Sequence, residues 1–471
     1  MRFINRIKEL KRLDSLLLSE ESSLVVVWGR RRVGKTRLLI EWANKHKGVY
    51  FTADESASAV QRKYFSVAID QVLPGFSSVE YPDWTILFSR LAKEAHQAGW
   101  KGPIVIDELP YLIAASPEIP SILQKFIDHE AKQARLLVAL CGSSQRMMMS
   151  SILNTSAPLY GRAKELIKLR PIGVQYIAEA LSLKKARDAI EYYAIWGGIP
   201  RYWELISNRD RKLVEDIDRL VLDPMGPLND EPNRLLLEEI PSAGSLRPIL
   251  DAIGMGAHRL SEIATRLSQP VTSLTRSMPR LAELGLIDKE TPYGAQEHHS
   301  KKVLYQISDP FVRFWFRVVA PRKSFFSQAP SQMRIKWVEE ALPPLFALNW
   351  EELCRLALPM LAQQWVGKYF YPAKRYWQGK GPEWDCVTES EDTKELILAE
   401  AKWPGFELSD IKLHQIGNEL KNKGIPPIQR DPNGKILYAI FVPEKPKSTL
   451  DPEFRVFDAE DVLSALKTQD G

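Results

Sequence analysis

A multidomain α/β architecture is predicted by three features of the sequence. The chain has 471 residues, more than one hydrophobic core accommodates. Over its first third, short apolar, β-branched runs alternate with amphipathic stretches and end in glycine or carboxylate residues. Beyond residue 245 the pattern changes to helix, turn, helix and hairpin, and then to short strands around a carboxylate–lysine triplet.

Composition narrows the class. Apolar residues make up 45% and charged residues 26% of the chain, ordinary values for a globular protein. Cys141, Cys354 and Cys386 lack metal-like spacing, which argues against a disulfide framework or a zinc site. Residues 1–13 mix charged and apolar side chains and have no signal-peptide core. No apolar run approaches the roughly 20 residues of a membrane span. A cytoplasmic protein with no membrane partner is expected. The net charge is +5, and residues 245–323 hold 12 Lys or Arg against 7 Asp or Glu, enough to account for it.

The first strand is Leu24 to Trp28. It runs into Gly29-Arg30-Arg31-Arg32-Val33-Gly34-Lys35-Thr36 and then an amphipathic helix. This is the Walker A pattern: the glycines let backbone N–H groups curl around phosphate oxygens at a helix N-terminus. Lys35 would neutralise the β/γ-phosphates and Thr36 would reach Mg²⁺. A second buried strand, Ile104 to Ile106, ends in Asp107-Glu108. Asp107 would hold the Mg²⁺ shell, and Glu108 would orient or deprotonate the attacking water. A third, Leu136 to Leu140, ends in Cys141-Gly142-Ser143-Ser144, where Ser143 is either a γ-phosphate sensor or part of a simple turn. The cofactors implied are ATP and Mg²⁺.

With these motifs in order, the chain resembles the archaeal-type ATPases of the STAND branch of AAA-like, ASCE P-loop proteins. Phe3-Ile4-Asn5-Arg6 with Glu9, GRRRVGKT, IVIDE, Pro158-Leu159-Tyr160-Gly161-Arg162 and Gly197-Gly198-Ile199-Pro200 carry the resemblance, which covers the whole length. It implies that Ile4 and Arg6 lie by the adenine and that Pro200 faces the nucleotide from a helical lid. Arg162 matches a suspected arginine finger. Read from the residues alone, an Arg after a loop Gly is equally a salt-bridging residue.

After Arg170-Pro171 helices are expected at Val174–Leu183 and Ala186–Trp196, and Asp223–Pro232 reads as a linker. Leu260–Leu267, a break at Pro270, a second helix over Val271–Leu284 and a hairpin to Val303–Ile307 read as a winged helix. Thr272, Arg276, Arg280, Lys301 and Lys302 would meet DNA. The other reading is a lever packed on the ATPase, because Pro279 would kink the second helix.

Phe311–Val319 reads as a buried aromatic helix. Beyond it, strands are expected at Tyr376–Gln378, Glu383–Thr388 and Glu395–Trp403, then a helix at Ser409–Asn422 and a strand at Ile436–Val442. Alternation places Asp385, Glu400 and Lys402 on one side of adjacent strands, with Glu351 on a preceding helix. This order resembles the PD-(D/E)xK restriction-endonuclease-like fold. The resemblance implies that Asp385 and Glu400 ligate Mg²⁺, that Lys402 positions the attacking water and that Glu351 completes the acidic cluster. Pro382 is followed by Glu383-Trp384 before Asp385, so the strict Pro-Asp pair is missing. An active nuclease, an inactive nuclease-like fold and an ordinary α/β domain all remain open.

The expected division is an ATPase core (1–165), a helical lid (166–240), a winged helix (245–325) and a nuclease-like domain (335–471). The expected function couples ATP state to DNA-directed domains, with DNA and a second copy of the chain as candidate partners. The alternative is a STAND signalling scaffold without C-terminal catalysis.

Overall fold

Continuous apolar runs can be buried on both faces of a sheet, and five segments of the first 170 residues form such a sheet. They are β1 (Ser23–Trp28), β2 (Val49–Thr52), β3 (Pro103–Asp107), β4 (Leu137–Gly142) and β5 (Ala163–Lys168). All are parallel, in the order β2-β3-β4-β1-β5. The computed structural model describes residues 2–19, 21–142, 145–148, 152, 154–206, 211–239, 246–295, 302–379, 381–405, 408–446 and 453–469.

The chain divides into two compact units. One is Arg2–Pro171 with Ile199–Arg201; the other comprises Ile172–Gly198 and Tyr202–Gly471. In the first, the insertion of β4 sets the P-loop strand β1 one strand away from the acidic strand β3. The ends of both therefore flank Cys141 and Gly142. The crossover helix Lys35–Lys45 buries Leu38, Leu39 and Trp42. The helix Trp84–Ala98 starts where Asp83 accepts the Ile86 N–H at 2.8 Å and stops at left-handed Gly99. Phe65, Trp84, Phe88 and Phe126 are at most 2% exposed and fill the layer between helices and sheet.

In the second unit, helices precede a second sheet. Residues 223–232 are not the free linker that their prolines suggest. The Asn229 side chain donates to Val221 O at 2.8 Å, and the Trp315 indole donates to Asn229 O at 2.9 Å. The segment is thus pinned to the aromatic helix that begins at Pro310–Phe314. Asp218 and Arg334 bury an ion pair at 2.5 Å, and Ser331 Oγ donates to the same carboxylate at 2.6 Å. Removing one partner leaves a buried charge unpaired. Arg334→Met is therefore expected to lower stability by about 3–5 kcal/mol in a urea titration. A loss under about 1 kcal/mol would mean that the pair behaves as a solvent-screened one.

Short helices Arg247–Gly254, Leu260–Arg266 and Ser277–Glu283 lead to an antiparallel pair, β6 (Ile287–Glu290) and β7 (Leu304–Ile307). The expected continuous second helix is corrected: a 3₁₀ turn at Val271–Leu274 precedes a helix that starts only at Ser277. Pro279 therefore falls in the first turn, where its missing N–H has no helical acceptor to leave unpaired, and it kinks nothing.

The second sheet has the order β12-β11-β10-β9-β8. Its strands are β8 (Lys374–Tyr376), β9 (Trp384–Glu389), β10 (Glu395–Ala401), β11 (Lys435–Phe441) and β12 (Phe454–Phe457). β8, β9 and β10 form an antiparallel meander, and β11 and β12 add in parallel. A parallel step needs a crossover, supplied here by the helix Asp410–Asn422 between β10 and β11. The helix Pro343–Val366 precedes β8, and Ala459–Gln469 follows β12. The molecule thus joins a P-loop core with a parallel sheet to an additional C-terminal α/β sheet domain.

Candidate functional site

The loop after β1 is shaped by residues that tolerate positive φ. Gly29 has φ 145°, and a Cβ there would lie 2.4 Å from Leu169 O, so the position admits glycine alone. Arg32 (φ 66°) and Gly34 (φ 94°) turn the backbone left-handed before the helix begins at Lys35. Lys35 Nζ donates to Gly29 O at 2.8 Å and Arg30 O at 3.1 Å, which holds the ammonium inside the loop. A Cβ on Gly34 would stand 3.8 Å from Pro200 Cγ, so the structure places Pro200 beside the loop. Val33 is buried, while Arg30 and Arg31 are half-buried. Arg6, only 4% exposed, donates to Val33 O at 2.7 Å and pairs with Glu9 at 3.0 Å. Ile4, two residues earlier, is also buried. Arg6 thus stitches the N-terminal box to the loop's backbone.

Thr36 Oγ1 donates to Asp107 Oδ2 at 2.7 Å, so the ends of β1 and β3 meet at these two side chains. Tyr50 on β2 donates to the same oxygen at 2.6 Å. Burial and the Asp107 charge push the Tyr50 phenol well above its ordinary range. The sequence reading missed Tyr50. The available signal was Thr52 opposite Asp107 in the parallel register, with Tyr50 two residues earlier on the same face. Glu108 follows at φ 53°, a strained conformation for a residue with a side chain, and its N–H donates to Asp107 Oδ1 at 2.9 Å. Among the described residues, no group of three or more His, Cys, Asp or Glu could hold a metal ion. Mg²⁺ at phosphate sites needs only one or two protein oxygens, so the Thr36–Asp107 pair fits it.

Ser143 lies outside the described residues. Arg162 is held by Asp128 through both carboxylate oxygens, at 3.1 and 3.0 Å, and also donates to Pro158 O at 2.8 Å. This is the salt-bridging arrangement, and a finger role requires Asp128 to release it.

The second sheet gathers the C-terminal candidates. Asp385 lies on β9, and its Oδ2 accepts the Ala401 N–H at 2.9 Å. Glu400, 7% exposed on β10, receives Lys402 Nζ on one oxygen and Lys423 Nζ on the other, each at 2.6 Å. Glu351, on the helix Pro343–Val366, lies 3.8 Å from Arg355, which also donates to Asp385 O at 3.1 Å. Burial, and then the Asp385 charge, push Glu351 up to about 7. Asp385 is raised by burial and by the charge of Glu400. The four expected residues lie close enough to act on one another's charge, but Glu351, Asp385 and Glu400 do not form a three-carboxylate group that could hold a metal ion. Lys423 was missed because it stands just past a helix end, with no local motif to mark it.

Residues 3–206 match the family described as an ATPase domain predominantly from Archaea. Residues 315–416 match a second family, described as archaeal and bacterial proteins of unknown function. An uncharacterized protein of Methanocaldococcus jannaschii is 26% identical over 472 residues, spanning 98% of this chain and 99% of its own. Among solved structures, a Walker-type ATPase of Pyrococcus abyssi is similar with a TM-score of 0.49 and 20% identity, over 67% of this chain and 96% of that one. The ORC2 protein of Aeropyrum pernix, solved as ADPNP–ADP complexes, gives 0.40 and 11%, over 72% and 94%. At these scores the fold assignment rests on the strand order and the loop, not on the superpositions.

Proposed function

We propose that the protein hydrolyses ATP and that its nucleotide state controls a DNA-directed C-terminal unit. The observation that carries this is the meeting of Thr36, Asp107 and Glu108 at the rim of a glycine-shaped loop. Backbone N–H groups of residues 30–35 would cradle the phosphates, and Lys35 would exchange its two carbonyl acceptors for phosphate oxygens. Bound Mg²⁺ would supply charge neutralisation between the phosphates, held by Thr36 and Asp107. Glu108 would orient the attacking water and accept its proton. Ile4 and Arg6 would flank the adenine, and Ser143 would sense the γ-phosphate. Arg162 would act as a finger toward a second copy of the chain only after leaving Asp128.

Control by nucleotide would pass along the backbone. Pro200 belongs to the ATPase unit, and Gly197 and Gly198, three and two residues earlier, belong to the other. Gly198 accepts the Ile172 N–H at 2.8 Å, and a Cβ on it would lie 2.0 Å from Ile172 O. The two chain crossings at 171–172 and 198–199 are therefore tied together. The helix Ala186–Trp196 leads straight into them and packs on Pro343–Val366, the helix that carries Glu351.

In this reading the winged helix (245–325) meets DNA through Thr272, Arg276, Arg280 and Lys302, with Lys301 outside the described residues. Asp385 and Glu400 would ligate Mg²⁺ beside Lys402 and Glu351, as in PD-(D/E)xK nucleases. One observation favours the scaffold reading instead: both Glu400 oxygens are taken by lysines, which neutralise the carboxylate without a metal. Incubation with single-stranded, duplex and branched DNA, with and without ATP and Mn²⁺, separates the two. Metal-dependent cleavage supports the nuclease; none on any substrate supports the scaffold.

A further inference from the structure

A cavity of about 940 Å³ lies between the segment after β6 and the edge strand of the second sheet, all within one compact unit. Tyr293 and Lys302 line one wall, Tyr371 and Lys374 the other, with Tyr376 nearly buried at 6% exposure. Edge strands expose unpaired backbone groups, and here the Tyr293 N–H covers part of β8 by donating to Arg375 O at 2.8 Å. Tyr371 is 49% exposed, yet its backbone is fixed on both sides. Its N–H donates to Glu389 O at 3.0 Å, and its carbonyl accepts Thr388 Oγ1 at 2.6 Å. A large ring is thus displayed to solvent from a rigid support, where no core packing explains it. Among the described residues lining the cavity, Glu389 is the only acid; burial, and then the Glu389 charge, push the Tyr293 phenol up. The groove is therefore aromatic with a basic rim.

We propose that this groove, lined by Tyr293, Tyr371, Lys302 and Lys374, binds single-stranded nucleic acid, stacking an unpaired base on the exposed Tyr371 ring, with Tyr293 packed on the core behind the groove and phosphates along the lysines. Aromatic faces stack on any base, and basic side chains follow the backbone. Duplex bases are already stacked on one another and offer no free face, so the groove selects single strands. β8 pairs with β9 through Tyr376 and Trp384, and Asp385 follows Trp384. A strand held in the groove lies at the edge of the sheet that carries the carboxylates. The inference rests on reading the second sheet as directed at nucleic acid, but it requires no cleavage.

The test is fluorescence anisotropy of labelled oligo-dT, oligo-rU and a mixed-sequence duplex with the full chain in EDTA, where metal-dependent cutting cannot occur. Single-strand binding should depend on Tyr371, and duplex binding, which the winged helix would take, should not. Tyr371→Ala should weaken single-strand binding by about 5- to 150-fold, the stacking contribution of one base, while Tyr371→Phe keeps it. Lys374→Glu and Lys302→Glu should each flatten the slope of log K against log salt by about 0.7. Lys336→Glu, on the exposed face of the helix Ser331–Ala341, removes the same charge elsewhere and should leave that slope in place. Equal loss of duplex and single-strand binding in Tyr371→Ala overturns the inference. Wild-type affinity in both Tyr371→Ala and Lys374→Glu does the same. Failure of cleavage with these binding differences intact would refute the nuclease alone.

Discussion

Glu108→Gln is expected to keep ATP affinity while hydrolysis falls by about 10²- to 10⁴-fold. The side chain follows Asp107 at the end of β3, and Asp107, not Glu108, bonds the Thr36 hydroxyl at 2.7 Å. Binding and chemistry therefore fall on different carboxylates. Lys35→Ala is expected to bind no ATP at concentrations that saturate the wild type. It deletes the ammonium that the loop holds at 2.8 Å from Gly29 O, while the glycine conformations that shape the cradle stay. Phosphate release and binding of a fluorescent ATP analogue read the two effects separately. Wild-type turnover in Glu108→Gln would remove it from the catalytic role.

Asp385→Asn is expected to abolish metal-dependent cleavage and leave ATP hydrolysis without DNA unchanged. The substitution suits the test because the Asn carbonyl oxygen can still accept the Ala401 N–H, as Asp385 does at 2.9 Å. The loss should exceed the roughly 10- to 100-fold that removal of an outer-shell partner costs a metal site. Lys402→Ala should keep metal binding and lose turnover, since its Nζ bonds Glu400 and ligates nothing. Equal cleavage by Asp385→Asn would assign any nuclease activity to other residues.

The parts of this molecule that were legible in the sequence are those fixed by short-range rules. β1, β3 and β4 are unbroken apolar runs because both faces of a parallel strand are covered, and the P-loop needs its glycines at set spacing. In the second sheet, β9, β10 and β11 fall within two residues of their expected bounds because short apolar runs mark them, β10 being buried at six of its seven positions. What was not legible depends on long-range partners. Tyr50 joins the site only because β2 pairs with β3, and Arg6 finds Val33 27 residues away. Lys423 reaches Glu400 from the far end of a crossover helix. Pro279 read as a kink because the periodicity of Leu274, Met278 and Leu281 runs through a turn that the backbone breaks. Residues 223–232 read as a linker because their prolines outweighed a single asparagine that anchors them.

The proposed coupling is that ATP at the P-loop changes what the C-terminal unit does. It is tested most directly by measuring oligo-dT affinity of Glu108→Gln protein saturated with ATP, saturated with ADP, and free of nucleotide. Coupling between two sites is typically worth about 5- to 150-fold in affinity. A difference of that size is expected between the ATP and ADP states, abolished by Lys35→Ala. Equal affinity in all three states, with ATP binding confirmed in the same samples, would contradict it.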